Sequence, residues 1–296
     1  MALDRRAFLV RTGLTFAAGA LASAPLWADG DEDAADAATS FATWQAVRDQ
    51  FELAPRVVHL GLGRMAPHPA PVRRAIARHR AGLDRNPVEY LSRNGAVLEA
   101  RVLRAAAAYL GADPAEIALT DSTTMGLGLL YTSLDVRPDQ ELLTTEHDFF
   151  ATHAALTYKA ERSGAVVRRV RLYDASSAAS ETQIVERLMA AVTPATRVVA
   201  VTWVHSGTGV KLPIRRIADA LARANAGRAV RDRALLCVDG VHGVGVENAT
   251  VGALGCDFLV SGTHKWLFGP RGTGLVWGRR DSWDAASPTI PSFTYD

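Results

Sequence analysis

Net charge, cysteine and long apolar runs are all scarce in this chain of 296 residues, and each scarcity removes a class of function. A formal charge of +2, from 33 basic and 31 acidic residues, gives no field that would draw the chain onto nucleic acid or an anionic membrane. A small molecule is the expected partner. The two cysteines, Cys237 and Cys256, each lie in or beside an apolar run. Their spacing supports neither a disulfide framework nor a metal pair, and small buried hydrophobes are the simpler reading. Internal repeats are missing. A dinucleotide fingerprint is incomplete: Gly61-Leu-Gly63 follows an apolar strand, but Arg64 to Pro69 interrupts where a helix should open. That counts against a nicotinamide-binding doubly wound enzyme, the main competitor at the level of fold.

What is present is enough to bury a full core. With 48% hydrophobic and 22% charged residues, one large globular domain is expected, with room for a smaller appendage. The amino terminus stands apart. Arg5 and Arg6 precede the Ala-rich apolar run Thr12 to Trp27, and Asp29 to Asp36 form an acidic stretch. This resembles a twin-arginine export signal, which implies periplasmic or exported delivery. Arg11 and the small residues of the run make a stable membrane span the weaker reading. The expected division is a signal peptide at 1–28, an acidic linker at 29–40, a large domain at 41–280, and the start of a shortened or absent C-terminal domain at 281–296.

From about residue 40, helical and strand-like segments alternate. Pro69 to Ala81, Ala96 to Leu110, Glu181 to Val192 and Ile214 to Ala226 read as helices; Gly111 and Asp113-Pro114 punctuate the second. Strands are expected at Glu116 to Leu119, Glu141 to Thr144, Val166 to Val170, Val198 to Val204, Ala234 to Val238 and Phe258 to Val260. Apolar strands divided by helices predict an α/β fold, with a mostly parallel sheet covered on both faces. Ligands of such sheets sit beyond the carboxyl ends of the strands, and that rule selects the residues to inspect.

After the first strand, Thr120-Asp-Ser-Thr-Thr-Met-Gly126 opens a helix. Free amides and the helix dipole favour a phosphate there, with Ser122, Thr123 and Thr124 adding donors, although ordinary capping explains the same residues. The second strand runs into Glu146-His147, where an imidazole could stack on a planar ring or exchange protons. Leu235 to Val238 leads to Asp239-Gly-Val-His242, a carboxylate and an imidazole that provide only two metal ligands, so no metal is expected. The most specific segment is Cys256 to Val276. In it a strand enters Ser261-Gly-Thr-His264-Lys265 and returns through Gly269, Gly272 and Gly274 to another apolar strand. A lysine held between buried elements loses proton affinity and becomes a nucleophile toward an aldehyde.

From His59 to Gly278 the chain resembles the class V aminotransferases and cysteine desulfurases, fold type I pyridoxal-phosphate enzymes, and within them the isopenicillin N epimerase-like branch. The resemblance implies a fold type I large domain, pyridoxal 5'-phosphate as cofactor and a homodimer. By matching positions, it implies that Lys265 holds the cofactor as a Schiff base and moves the proton at the substrate α-carbon. Asp239 would pair with the pyridine nitrogen and His147 would stack on the ring. Thr123 and Thr124, with Ser261 and His264, would hold the phosphate, and His242 would lie near the ring oxygen. The turn Val201 to Pro213 matches the one that contacts the phenolic oxygen, through Ser206 or Thr208. Desulfurases usually carry Asn at Ser206, a departure that weakens the desulfurase assignment.

The implied activity is on an amino acid or amine, through an external aldimine and α-proton abstraction, as a transaminase or an epimerase. The alternatives are a desulfurase or other lyase, for which neither cysteine looks presented, and a cofactor-binding but catalytically incomplete protein. The sequence does not select the substrate, the carboxylate-binding residue or the fate of the α-proton.

Overall fold

The computed structural model describes residues 43–61 and 63–291. The export-like segment, the acidic stretch and residues 292–296 lie outside the described residues. Helices α1 (Trp44–Arg48), α2 (Ala70–Arg85) and α3 (Pro87–Leu110) precede the sheet, and strand β1 (Ile117–Thr120) opens it. There follow α4 (Thr123–Ser133), β2 (Glu141–Thr145), α5 (Phe150–Ser163), β3 (Val166–Val170), α6 (Glu181–Ala191) and β4 (Thr196–Thr202). The chain continues through α7 (Ile214–Ala224), β5 (Leu235–Asp239), α8 (Val251–Leu254), β6 (Phe258–Gly262) and β7 (Gly274–Gly278).

The seven strands lie in the order β1-β7-β6-β5-β4-β2-β3. Pairings among β2 to β6 are parallel, and β7 alone runs against both its neighbours. This is the mostly parallel, helix-covered sheet expected. Strands β4 to β7 are buried along their whole length, which is why they read as continuous apolar runs rather than as alternation. Alternation does decide which face each side chain enters. Val199 and Val201 of β4 join one core with Val238 and Leu259, whereas Val198 and Ala200 join the other with Leu127 and Val260. The outer strand β3 is only partly buried and carries Arg168 and Arg169, charges that discourage pairing with a further strand.

Local chemistry sets the element ends. Asn86 caps α3 by accepting from the Glu89 amide, Pro87 occupies the first turn, and Gly111 closes the helix in the left-handed region at φ 66°. Helix α3 thus begins nine residues before the expected Ala96, at the cap that Asn86-Pro87 spells out. Strand β4 begins at Thr196 and ends at Thr202, so Trp203 and Val204, expected inside it, belong to the exit turn. Helix α5, absent from the expected elements, ends at Gly164 with φ 75°. Residues 280–285 form a 3-10 turn that lays Trp283 edge-on against Phe258, with ring centroids 5.3 Å apart.

Candidate active site

Parallel strands place their exits on one side, and five exits meet there. β1 delivers Ser122 and Thr123, β2 delivers His147 and Asp148, and β4 delivers His205. β5 ends on Asp239, and β6 runs into His264 and Lys265. The start of the antiparallel β7 lies between β1 and β6, with Gly274 opposite both Thr120 and Gly262.

Helix α4 rests close on β6: a Cβ on Gly126 would come within 2.6 Å of Val260 Cγ1. Ser122 caps the helix through its hydroxyl, accepting from the Met125 amide at 3.1 Å. The helical ladder starts with Gly126 N donating to Ser122 O. The amides of Thr123 and Thr124 therefore precede it, as the first amides of a helix do. Thr123 is buried, and its Oγ1 accepts from Gly262 N at 2.7 Å, which ties the phosphate-turn candidate to the β6 exit. Thr124 is exposed. Ser261 is fully buried and donates to Gly262 O at 3.0 Å. Beside them, His264 Nδ1 is buried without a protein hydrogen-bond partner. A Cβ on Gly262 would lie 2.9 Å from the His264 ring and 3.2 Å from Thr123 Oγ1. Only glycine leaves this corner its present shape.

Asp239 is 2% exposed and accepts from Val241 N at 3.0 Å. Burial pushes its carboxyl up to about 7; repulsion from Asp148 adds to the rise, while the Val241 amide and Lys265 oppose it. Lys265 is perturbed in the opposite sense, its amine lowered by burial against the attraction of Asp239. The two are close enough to feel each other's charge, and both are drawn toward neutrality. Burial and then Lys265 take His242 down to about 4. Trp266 Nε1 donates to His242 Nδ1 at 3.0 Å, so His242 is a neutral ring whose hydrogen sits on Nε2. Three residues beyond Lys265, Phe268 adopts φ 56°, a region that a bulky L-residue enters only at a cost, and its amide donates to Lys265 O.

His147 stacks on Tyr173, with ring centroids 3.9 Å apart and planes within 6°. Its Nε2 accepts from Leu172 N at 3.3 Å, so its hydrogen is on Nδ1. Burial, followed by His205, lowers its pKa despite the nearby Asp148 and Glu146. Of its two expected capacities, the geometry suits stacking better than proton exchange, because Nε2 is engaged by a backbone donor. Ser206 is exposed. Thr208, in the same turn, is linked to the Tyr173 hydroxyl at 2.7 Å.

The sequence-derived set of Thr123, His147, Asp239, His242, His264 and Lys265 thus gathers at one edge. Ser206 and Thr124 stand at its exposed rim. Asp148, Tyr173, His205 and Trp266 went unremarked. The strand-exit rule reaches three of them: Asp148 follows His147, His205 precedes Ser206, and Trp266 follows Lys265. Tyr173 lies three residues past β3, and only the folded geometry brings it behind His147.

A family model described as aminotransferase class-V matches residues 93–293. Among curated proteins, the chain is 30% identical over 254 residues to an isopenicillin N epimerase of Amycolatopsis lactamdurans, covering 85% of this chain and 61% of that protein. It is 31% identical over 186 residues to a cysteine desulfurase of Enterobacter sp. (strain 638), covering 62% of this chain and 42% of that protein. Among solved structures, a C-DES mutant with glycine covalently linked to the PLP cofactor superposes with a TM-score of 0.73 at 22% identity, over 82% of this chain and 62% of that one. The apo cysteine desulfurase of Thermococcus onnurineus NA1 gives 0.69 at 20% identity, over 85% and 60%. The chain spans less than two thirds of the length of each of these proteins.

Proposed function

The chain belongs to the aminotransferase class-V family, whose cofactor is pyridoxal 5'-phosphate, and on that premise we propose an enzyme that moves the α-proton of an amino acid or amine, as a transaminase or an epimerase. The observation that carries the proposal is the pair at the exits of adjacent strands: a buried carboxyl at Asp239 and a half-buried amine at Lys265, with opposed pKa shifts.

The residues fit the cofactor. The buried, unpartnered His264 Nδ1 and the leading amides of α4 form a donor set for a dianionic phosphate. Asp239 supplies the negative charge that a protonated pyridine nitrogen requires, and that pairing would offset the burial that now raises the carboxyl. Lys265, whose lowered pKa favours the free amine, would hold the aldehyde carbon covalently. His147, a neutral ring backed by Tyr173, would cover one face. His242 presents an Nε2 hydrogen, and the Thr208 hydroxyl, in the adjoining turn, is engaged with Tyr173. When bound, the cofactor supplies an electron sink for the charge left at the substrate α-carbon.

In this reading Lys265 Nζ, once displaced by the substrate amine, takes the α-proton. Where that proton is returned separates transamination from epimerisation. Chemistry that needs a thiolate from this chain has less support, since burial raises both thiols: Cys237 well above its ordinary value and Cys256 to about 12. A homodimer is part of the proposal, tested by light scattering of the purified protein.

The decisive experiment is reconstitution with pyridoxal 5'-phosphate. The parent chain should show a near-visible band and a borohydride-fixed adduct on Lys265, and Lys265→Ala should lose both. An adduct that persists on another lysine would overturn the assignment.

A further inference from the structure

Behind His147 lies a polar chain, buried except at Thr208, that the proposed chemistry does not use. Asp148 is the anchor. Its Oδ2 accepts from Thr144 Oγ1 at 2.7 Å and from Thr145 N at 2.8 Å, and its Oδ1 accepts from Thr202 N at 2.7 Å. Burial alone would raise this carboxyl, but the facing His205 N–H and these donors outweigh it and lower its pKa. His205 Nε2 faces Oδ1 at 3.7 Å, too long for a hydrogen bond, and has no other partner. The carboxylate therefore favours the tautomer with hydrogen on Nε2, leaving Nδ1 as an acceptor. The Tyr173 hydroxyl lies 2.9 Å from that Nδ1 and 2.7 Å from Thr208 Oγ1. With that tautomer, Thr208 donates to Tyr173 and Tyr173 donates to His205.

Tyr173 is 2% exposed, and its ring lies nearly parallel to His147. Offset stacking and edge-on packing are both open to aromatic pairs, and neighbouring contacts select the stacked form here. Two successive residues at the β3 exit provide them. The Leu172 amide grips the edge of the imidazole, and Tyr173 covers its face. A phenol needed only for packing could be Phe; this one is engaged through its hydroxyl on both sides.

We propose that Tyr173 is a positioning residue for His147, oriented by the His205–Asp148 pair and coupled through its hydroxyl to Thr208, so that the stacking imidazole and the Thr208 turn are held as one unit. The role assigned to that unit rests on the proposed cofactor site; the hydrogen-bond chain itself does not.

The test uses the full chain with selectively 15N-labelled histidine. Spectra of His205→Gln and His147→Gln supply the assignments. His205 should report the Nε2–H tautomer with a hydrogen-bonded Nδ1. Tyr173→Phe, which keeps the ring but cuts its tether, should move the His205 Nδ1 resonance and, by less than Tyr173→Leu does, that of His147, whereas Thr208→Val should perturb His205 less; a His147 signal indifferent to Tyr173→Phe would overturn the coupling. Tyr173→Leu, which removes the stack, should move His147, weaken pyridoxal phosphate binding about three- to tenfold and shift the absorption maximum of the bound cofactor. Tyr173→Phe should bind it within about threefold of the parent. An Nδ1–H tautomer at His205, or a His205 signal indifferent to Tyr173→Phe, would overturn the chain. Parent affinity and spectrum in Tyr173→Leu would overturn the positioning role. If the parent binds no pyridoxal phosphate, the functional reading fails, and the histidine spectra still decide the hydrogen-bond chain.

Discussion

Asp239→Asn separates what the carboxylate costs the fold from what it would do for a cofactor. The rise from 3.8 to about 7 corresponds to roughly 4 kcal/mol of preference for the neutral form, at about 1.4 kcal/mol per pH unit. Asp239 is almost wholly buried, so little solvent screening reduces that figure. The sign follows from linkage. Between the unfolded value near 4 and the folded value near 7, the folded state binds the extra proton, so this group makes the ligand-free protein less stable as pH rises through that window, and above about 7 the full cost is present. Asn keeps the shape and can still accept from Val241 N, but it does not titrate. The variant minus parent difference in unfolding free energy should therefore grow from near zero at pH 4 toward roughly 4 kcal/mol at pH 7.5. His147 and His242, lowered by burial, stabilise in the opposite direction as pH rises, and the difference curve cancels them. Urea melts of cofactor-free parent and variant at half-unit pH steps would measure it. With pyridoxal phosphate the order should reverse: the variant binds more weakly and loses most turnover, because a neutral amide does not hold the ring nitrogen protonated. A flat difference curve would refute the buried-carboxyl argument. Unchanged turnover would refute the pairing.

Two further outcomes follow from the same geometry and a third from the amino-terminal sequence. Lys265→Met should raise Asp239 above about 7 and His242 above about 4, since the ammonium lowers both; carbon- and nitrogen-detected titrations would read the two shifts, and a fall in either would contradict their proximity. Gly262→Ala should push His264 aside, because the new Cβ meets its ring at 2.9 Å, and should weaken pyridoxal phosphate binding by about tenfold or more, measured by fluorescence titration. If, as we propose, Arg5 and Arg6 belong to a twin-arginine signal, replacing both by lysine should block periplasmic delivery, and undiminished export in a fractionation assay would remove that reading.

Much of this fold was legible because the central strands are short, apolar and bounded by turn residues. Strands β2, β3, β5 and β6 fall within two residues of their expected ends. The misplacements have physical causes. Trp203 and Val204 are as apolar as the strand they follow, so composition could not stop β4 at Thr202, whereas the ladder does. The start of α3 was written in Asn86-Pro87 as a cap, but the apolar periodicity it introduces is weak before Ala96. Helix α5 carries only three buried residues, Ala151, Thr152 and Leu156, too few to print a face on the sequence. In the site, the strand-exit rule identified Asp239, His147 and Lys265 because each closely follows or ends an apolar strand. It could not foresee Tyr173, whose significance depends on a register that sets the β3 exit beside the β2 exit, with Thr145 opposite Val170.

The two edges of the sheet differ in how their polar groups are satisfied, and that difference locates the chemistry independently of any motif. At the amino edge, Asp257 accepts from Leu236 N at 2.7 Å and Ser282 Oγ at 3.0 Å and pairs with Arg279. Glu141 there accepts from Arg168 and Thr193. At the carboxyl edge, Thr120 Oγ1, Thr202 Oγ1 and His264 Nδ1 are buried without protein hydrogen-bond partners, and the pKa values of Asp239 and Lys265 are both shifted toward the neutral form. Leaving one buried polar group unsatisfied costs about 1–3 kcal/mol, so several at one edge would be a steep penalty if folding were their only purpose. A bound anion and a cationic ring nitrogen would offset it. The same fold that completes its hydrogen bonds at one edge leaves them open at the other, and a cofactor that is both a phosphate and a pyridine answers both deficits there.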